Sequence, residues 1–145
     1  MDAGVLGPRA GRSSRRGGPH LFDHYRHFHP EPAASFVLPA VRKPSAQMVT
    51  LLGGGWVASG PPGADRFPLV AWPEGMKMVG DEMAGVAQTP LTGEAAVLLA
   101  VGDRVWLMHA KAGEFSEHLD AFAMVDDDHI VDTLPTYRGE GKAFL

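Results

Sequence analysis

The sequence predicts a mainly β protein, a small β-sandwich or barrel, and three observations support this fold class. Apolar residues fall in short segments that turn signals separate at roughly 8–15 residues. The chain has 18 glycines and 12 prolines, 30 of its 145 residues, and this share favours turns and short strands over long helices. Alternation of side chains is clearest in the segment VGDRVWLMH, where Gly102 and Asp103 form a turn before a strand.

The remaining segments predict further strands at 36–41, 48–60, 76–80, 83–89, 118–125 and 128–136. Helix is confined to one or two turns within 94–100 and 114–122. The acidic run Asp126–Asp128 predicts a tight hairpin rather than a calcium loop, because the closing glutamate of an EF-hand is absent. Pro135 predicts the end of the last strand, since proline cannot donate a ladder hydrogen bond.

Two glycine-containing segments need separate interpretation. The run Gly53–Gly55 is followed by neither a Gly-Lys-Ser motif nor a helix, so a bulge or a close backbone approach is favoured over a phosphate loop. The polar tail YRGEGK, residues 137–142, is either a mobile end or a segment that docks on a partner domain.

The charge pattern divides the chain into an arm and a body. Residues 1–19 carry four arginines against Asp2, a net charge of +3, and have few large apolar side chains, which predicts a disordered basic arm. Residues 20–35 are dense in histidine and aromatic residues and predict a connector. Residues 36–145 predict the β-domain, and at 145 residues the chain has the length of one domain.

Composition also excludes several function classes. The net charge of −4 offers no overall basic excess for nucleic acid or an anionic membrane, so neither is an expected partner. The chain has no cysteine, which excludes disulfides, zinc–thiolate sites and cysteine nucleophiles and is consistent with the cytoplasm, where we expect the protein. No apolar run reaches the roughly 18–20 residues of a membrane span.

The densest polar cluster is HAKAGE, residues 109–114, directly after the clearest strand. His109 and Lys111 lie on one side of an extended chain with Glu114 nearby, and such a group can perform acid–base chemistry or hold a metal. The alternative is a turn in which Lys111 and Glu114 pair in solvent. A second cluster, His20, His24 and His27, has the spacing of one helical face, and a divalent metal site competes there with simple packing of the aromatic connector.

Four strings resemble one enzyme class: GPHLFDHYRHF, LLGGGWVASG, VGDRVWLMHAKAGE and IVDTLPTYRGEGKAFL. Together they resemble the C-terminal part of alanine-racemase-like (fold-type III) pyridoxal-phosphate enzymes of the D-threonine aldolase, D-serine dehydratase and amino acid deaminase/aldolase type. The resemblance covers residues 17–145 and is most specific in the last 45.

The resemblance implies a D-serine dehydratase-like C-terminal domain that closes the active site of an N-terminal (β/α)8 barrel. That barrel carries the lysine and the pyridoxal phosphate, commonly in a head-to-tail homodimer, and has no room in 145 residues. The connector 20–35 then leads from the missing barrel. Truncation of the gene product or a split enzyme would explain its absence, and we expect the chain alone to be inactive.

The resemblance also implies site residues, with two departures from the family pattern. His109 matches a family metal ligand, but Lys111 occupies the second ligand position, where an ammonium has no lone pair to give. The resemblance therefore implies either Glu114 as a substitute ligand or a metal-free site in which His109 and Lys111 contact the D-amino-acid substrate. A cofactor-phosphate loop matches the segment Ser13–Gly18, in which only Gly17 and Gly18 remain to bind phosphate through backbone N–H groups.

The leading hypothesis is thus the β-domain of a pyridoxal-phosphate-dependent D-amino-acid lyase. One alternative is a non-catalytic β-barrel interaction module that binds a partner or a second copy of itself. A third is a cupin-like metal-binding protein that uses the histidines of the connector.

Overall fold

The structure is a computed structural model that describes residues 4–6, 27, 33–61, 63–80, 82–111 and 113–144. Within these ranges the chain forms nine strands, one short α-helix and two 3-10 helices. The strands are β1 (Gly4–Leu6), β2 (Ala34–Ser45), β3 (Met48–Leu52), β4 (Leu69–Trp72), β5 (Lys77–Met78), β6 (Gln88–Thr92), β7 (Arg104–Met108), β8 (Ala121–Asp126) and β9 (His129–Pro135). The α-helix is α1 (Gly113–His118), and the 3-10 helices are Ala64–Arg66 and Glu94–Leu98.

The strands form a barrel-like sheet that is nearly closed, which confirms the predicted fold class. Its order is β5-β6-β3-β2-β1-β8-β9, and β7 joins β2 to β4. Most neighbours are antiparallel, and the pair β1–β8 is parallel. The long strand β2 holds the sheet together because it changes partner along its length.

The partner change in β2 produces the curvature of the sheet. Its first residues pair with β1, Phe36–Pro39 pair with β7, and Ala40–Ser45 pair with β3. The register with β3 shifts on both sides of Arg42, and such irregularities bend a strand and increase its twist. One strand therefore pairs with β7 along its first half and with β3 along its second half.

The core follows the period of two that strands impose on their side chains. Alternate residues of β2, β3 and β7 point inward, and Phe115 of α1 covers one end. The buried cluster comprises Phe36, Leu38, Ala40, Val49, Leu51, Met76, Leu91, Ala96, Leu99, Val105, Leu107, Phe115 and Leu119. Burial of these side chains is the main favourable contribution to folding.

Several local predictions are confirmed. The turn at Gly102 precedes β7, the hairpin turn lies between Asp126 and His129, and β9 ends at Pro135. Helical turns form at Glu94–Leu98, within the first predicted segment, and at Gly113–His118, which begins one residue before the second. The strand predicted at 83–89 begins later than expected. Residues 83–87 are outside any strand, and β6 begins only at Gln88.

The glycine run 53–55 is a place of close approach, as predicted. A Cβ on Gly55 would lie 2.6 Å from the backbone nitrogen of Val86, and one on Gly54 would lie 2.7 Å from the Leu38 side chain. Gly53 and Gly54 also have positive φ values of 74° and 101°. Glycine is thus required here by both space and backbone conformation.

The arm and the connector are described only in part. Gly4–Leu6 form β1, which pairs with β2 and β8. The rest of that arm lies outside the described residues. In the connector 20–35, the described residues are His27 and residues 33–35. His27 is exposed, and β2 already begins at Ala34. Among described residues, no helix has the length and apolar character to cross a membrane.

Candidate functional site

The candidate site lies where β7 ends and α1 begins. Phe36 pairs with Leu107, so the start of β2 and the end of β7 are at the same end of their ladder. His109 follows β7 directly, and Glu114 lies in the first turn of α1. β2 begins at Ala34, at this same end.

His109 is nearly buried, with 8% of its surface exposed. Its ring packs against Phe115, with ring centres 4.1 Å apart and planes inclined by 67°. This edge-on contact fixes the ring at the boundary of the core. Histidine at such a boundary is held in one orientation, as a group that moves protons or binds substrate must be.

Lys111 is half-buried and binds a loop that is far away in sequence. Its Nζ donates to the carbonyl oxygen of Ser59 at 2.8 Å and to Ser59 Oγ at 3.1 Å. The same carbonyl accepts from Arg66 Nη1 at 2.7 Å. Two cationic side chains therefore converge on one backbone oxygen.

Glu114 reaches the same serine from the other side. Its carboxylate is 8% exposed, and Oε1 accepts the backbone N–H of Ser59 at 3.3 Å. Within the described part of the chain, Oε2 has no hydrogen-bond partner. Burial of a carboxylate is costly unless charge and hydrogen bonds compensate it, and Ser59 brings Lys111 to the same place. Lys111 and Glu114 therefore both hydrogen-bond to Ser59. They do not form the solvent-exposed ion pair of the alternative interpretation among the described contacts.

An aromatic cluster forms the wall behind these groups. Trp56 stacks on His118 with ring centres 5.1 Å apart, and the His118 ring nitrogen Nδ1 lies 2.6 Å from the carbonyl oxygen of Glu114. The cluster consists of Phe36, Trp56, His109, Phe115, His118 and Phe122. This aromatic wall of the site is mostly apolar.

The C-terminal tail docks on its own domain, an outcome that neither alternative for YRGEGK included. The Tyr137 hydroxyl donates to the carbonyl oxygen of Gly113 at 2.9 Å, and Arg138 Nη1 donates to that of Glu117 at 3.2 Å. Burial, followed by the negative charges of Glu117 and Glu114, raises the pKa of Tyr137 above its ordinary value. The tail thus braces the start of α1, which carries Glu114.

The described residues do not fit a metal site. No group of three His, Cys, Asp or Glu that could hold an ion occurs in the described ranges. Lys111, at the second ligand position, donates its protons to Ser59. The structure therefore gives no support to His109 as a metal ligand. His20 and His24 of the other hypothetical cluster lie outside the described residues.

The described residues also do not form a cofactor site by themselves. Lys43 donates to two backbone carbonyls, Lys111 to Ser59 and Lys142 to Glu140, while Lys77 lies on the short strand β5. None of the four lysines stands on a strand of a (β/α)8 barrel. Gly17 and Gly18, expected to bind the cofactor phosphate, lie outside the described residues. No chemical step through pyridoxal phosphate follows from this domain.

Sequence reasoning missed Ser59, Trp56, His118 and Tyr137. Ser59 contacts Lys111 across 52 positions and Glu114 across 55 positions. No local pattern marks such a contact. The only available signal was the glycine run before it, which indicated that this loop passes close to another part of the chain.

Comparison with known proteins supports the fold. No family model matches the sequence, and no curated protein sequence matches it. Among solved structures, D-threonine aldolase from Filomicrobium marinum matches with a TM-score of 0.60 and 16% sequence identity. The match covers 77% of this chain and 29% of that chain, so the present sequence corresponds to less than a third of the enzyme it matches. At this identity the likeness establishes a shared fold.

Proposed function

We propose that this chain is the C-terminal β-domain of a pyridoxal-phosphate-dependent D-amino-acid lyase of the D-threonine aldolase and D-serine dehydratase type. In this proposal it completes an active site whose cofactor and imine-forming lysine belong to a (β/α)8 barrel. The observation that carries the proposal is the fold match to D-threonine aldolase over 77% of the chain. The strings that resemble this class support it independently.

The position of the candidate site agrees with that role. His109 and Lys111 lie at the end of the β2–β7 ladder where β2 begins. A domain that precedes this one in the chain would adjoin the same end. The polar loop would then face the active site of the barrel rather than solvent.

Each side chain has a function that its contacts allow. The Lys111 ammonium, fixed by Ser59, is a cation for the substrate carboxylate. His109, fixed by Phe115, contacts the substrate hydroxyl or accepts its proton. Glu114 and Ser59 act as positioning residues for Lys111. The cofactor would supply the electron sink, and this domain would bind and orient the substrate.

The interaction module remains a second candidate because one strand is exposed along its whole length. All seven residues of β9 are exposed, including Ile130, Val131 and Leu134. Exposed apolar residues on a strand are typical of surfaces that meet a partner. Size-exclusion chromatography over a range of concentrations tests it: dimers that dissociate on dilution would favour a module that pairs with a second copy.

The lyase proposal is tested with the endogenous protein captured by an antibody to the C-terminal tail. We expect cleavage of D-threonine or elimination from D-serine that is lost when pyridoxal phosphate is removed and returns when it is added. Lys111→Met should lower kcat/KM by at least about tenfold, the equivalent of one charge-assisted hydrogen bond. Lys77→Met, a change of the same kind on β5, should have no effect. Equal activity of both variants would contradict the assigned role of Lys111.

A further inference from the structure

A second cleft, with a mostly apolar lining and two charged residues, lies on the outer face of the sheet, away from the candidate site. It has a volume of about 550 Å³, and Arg42, Thr50, Glu82 and Gln88 contribute polar groups to its lining. Met48 and Val79 are among its apolar walls. Arg42 lies six residues beyond Phe36 on β2, or roughly 20 Å at the rise of an extended strand. The cleft is therefore separate from the His109 site.

The register of the sheet explains why polar groups collect there. Thr50 pairs with Arg42 on one side and with Pro90 on the other, so these residues share one face of β2, β3 and β6. The adjacent residues Val49 and Leu51 point into the core. The cleft floor is thus the face of the sheet that turns away from the core.

A loop covers part of this outer face and makes it a cleft. The N–H of Val79 donates to the carbonyl oxygen of Pro90 at 3.1 Å, and that of Met83 donates to Val79 at 2.9 Å. Thr50 is only 2% exposed beneath this cover. Its hydroxyl has no hydrogen-bond partner among the described residues, although a buried hydroxyl ordinarily has one.

The two charged residues of the cleft do not neutralise each other. Within the described ranges, no ion pair joins Arg42 to Glu82. The described hydrogen bond of the Arg42 guanidinium goes to Gln88 Oε1 and is long, 3.4 Å. The cleft therefore offers a cation and a carboxylate beside apolar side chains.

We propose that this cleft binds a free α-amino acid in its zwitterionic form. Arg42 receives the carboxylate, because a guanidinium binds carboxylates through paired N–H donors. Glu82 receives the ammonium group, and Met48 and Val79 contact a small apolar side chain. An amino acid carries both charges, so one molecule can bind Arg42 and Glu82 together, which neither a simple anion nor a simple cation can do.

The test is an NMR titration of the uniformly ¹⁵N-labelled 145-residue chain with D- and L-valine. We expect shifts of the Val79 and Gln88 amides with a Kd of about 1 mM or tighter for at least one enantiomer. Isovalerate lacks the amine of valine, and isobutylamine lacks its carboxylate. Each should bind at least about tenfold more weakly, since each loses one charge-assisted contact.

Variants locate the binding site and separate it from general effects of charge. Arg42→Gln and Glu82→Gln change exposed side chains, so the fold should persist, and each should weaken valine binding by at least about tenfold. Glu94→Gln, on the 3-10 helix 94–98, is the matched control and should leave it unchanged. The proposal is overturned if no shifts occur, if the two analogues bind as well as valine, or if all three variants behave alike. The titration requires no catalysis, so neither result bears on the proposed lyase function.

Discussion

Thr50 and Thr89 are two buried threonines with opposite hydrogen-bonding status, and they give a matched test of the packing described for the sheet. Thr89 is fully buried, and its hydroxyl donates to the carbonyl oxygen of Gly53 at 2.6 Å. Thr50 is 2% exposed, and its hydroxyl has no partner among the described residues. A buried polar group without a partner costs free energy, whereas a bonded one contributes about 0.5–1.5 kcal/mol.

We therefore expect opposite effects of the same substitution. Thr89→Val should lower the free energy of unfolding by about 1–3 kcal/mol, because it also leaves the Gly53 carbonyl unpaired. Thr50→Val should leave the free energy of unfolding unchanged or raise it by up to about 1 kcal/mol. Urea denaturation of both variants measures the difference. Equal destabilisation by the two changes would contradict the assigned hydrogen bonds.

Tyr137 gives a pH-dependent prediction. Its pKa is raised, first by burial and then by the charges of Glu117 and Glu114, so the folded state holds the phenol proton more tightly than the unfolded state. The resulting stabilisation is fully present below the unfolded pKa of about 10 and is lost as the pH rises through the folded pKa. Absorbance titration should show one phenol that ionises above about pH 10.

The variant Tyr137→Phe shows whether Tyr137 is the phenol that ionises above about pH 10. The chain has two tyrosines, Tyr25 and Tyr137, so the variant should keep one phenol transition and lose the one that Tyr137 contributes above about pH 10. The alkaline decrease in stability should become shallower in the same variant. An unchanged high transition in Tyr137→Phe would show that Tyr137 does not carry the raised pKa.

At the scale of single residues, the sequence located the polar loop but not its contacts. His109, Lys111 and Glu114 were predictable because they directly follow a strand with clear alternation. Ser59 was not, since its link to Lys111 spans 52 positions and depends on how two loops fold over one end of the barrel. Contacts of this kind arise from tertiary structure and leave no local pattern.

At the scale of elements, the glycine run that precedes Trp56 is a connection without room for a larger residue. A Cβ at position 55 would lie 2.6–2.8 Å from the backbone of residues 85 and 86, closer than real Cβ atoms come. Gly55→Ala should therefore lower the free energy of unfolding by about 1–3 kcal/mol, the usual cost of overpacking. Thermal denaturation measures the loss.

Gly80 provides the control for that change. A Cβ at position 80 meets nothing within 4 Å, and its φ is not in the left-handed region. Gly80→Ala should leave the free energy of unfolding unchanged or raise it by up to about 1 kcal/mol, because alanine restricts the unfolded chain. If Gly80→Ala and Gly55→Ala cost the same, the close approach at Gly55 is not what constrains the run.

Turns and the end of the last strand were the features that the sequence predicted best. Gly102-Asp103, the acidic hairpin and Pro135 impose backbone constraints that act within a few residues. The division of β2 among three partners was not predictable, because two of them, β1 and β7, are distant from it in the sequence. The start of β6 was misplaced because residues 83–87 have an apolar pattern but lie against the glycine run 53–55, and pairing with β3 begins at Gln88.

At the scale of the whole molecule, the proposed function makes this domain one part of a larger active site. The fold match covers 77% of this chain but 29% of D-threonine aldolase, and the lysines of this chain occupy other contacts or an unrelated strand. The proposed function thus requires a barrel that these residues do not form. It predicts that pyridoxal phosphate is bound covalently by a lysine outside this sequence.

The most direct measurement is the mass of the endogenous protein after reduction with borohydride, followed by mapping of the modified peptide. Borohydride fixes a pyridoxal-phosphate imine to its lysine, so the modified residue can be identified. We predict a species far heavier than 15.5 kDa, or a tight complex that contains one, with the modified lysine in a segment outside the 145 residues. A 15.5-kDa species without any cofactor-bearing partner, or one modified on its own lysine, would contradict the account.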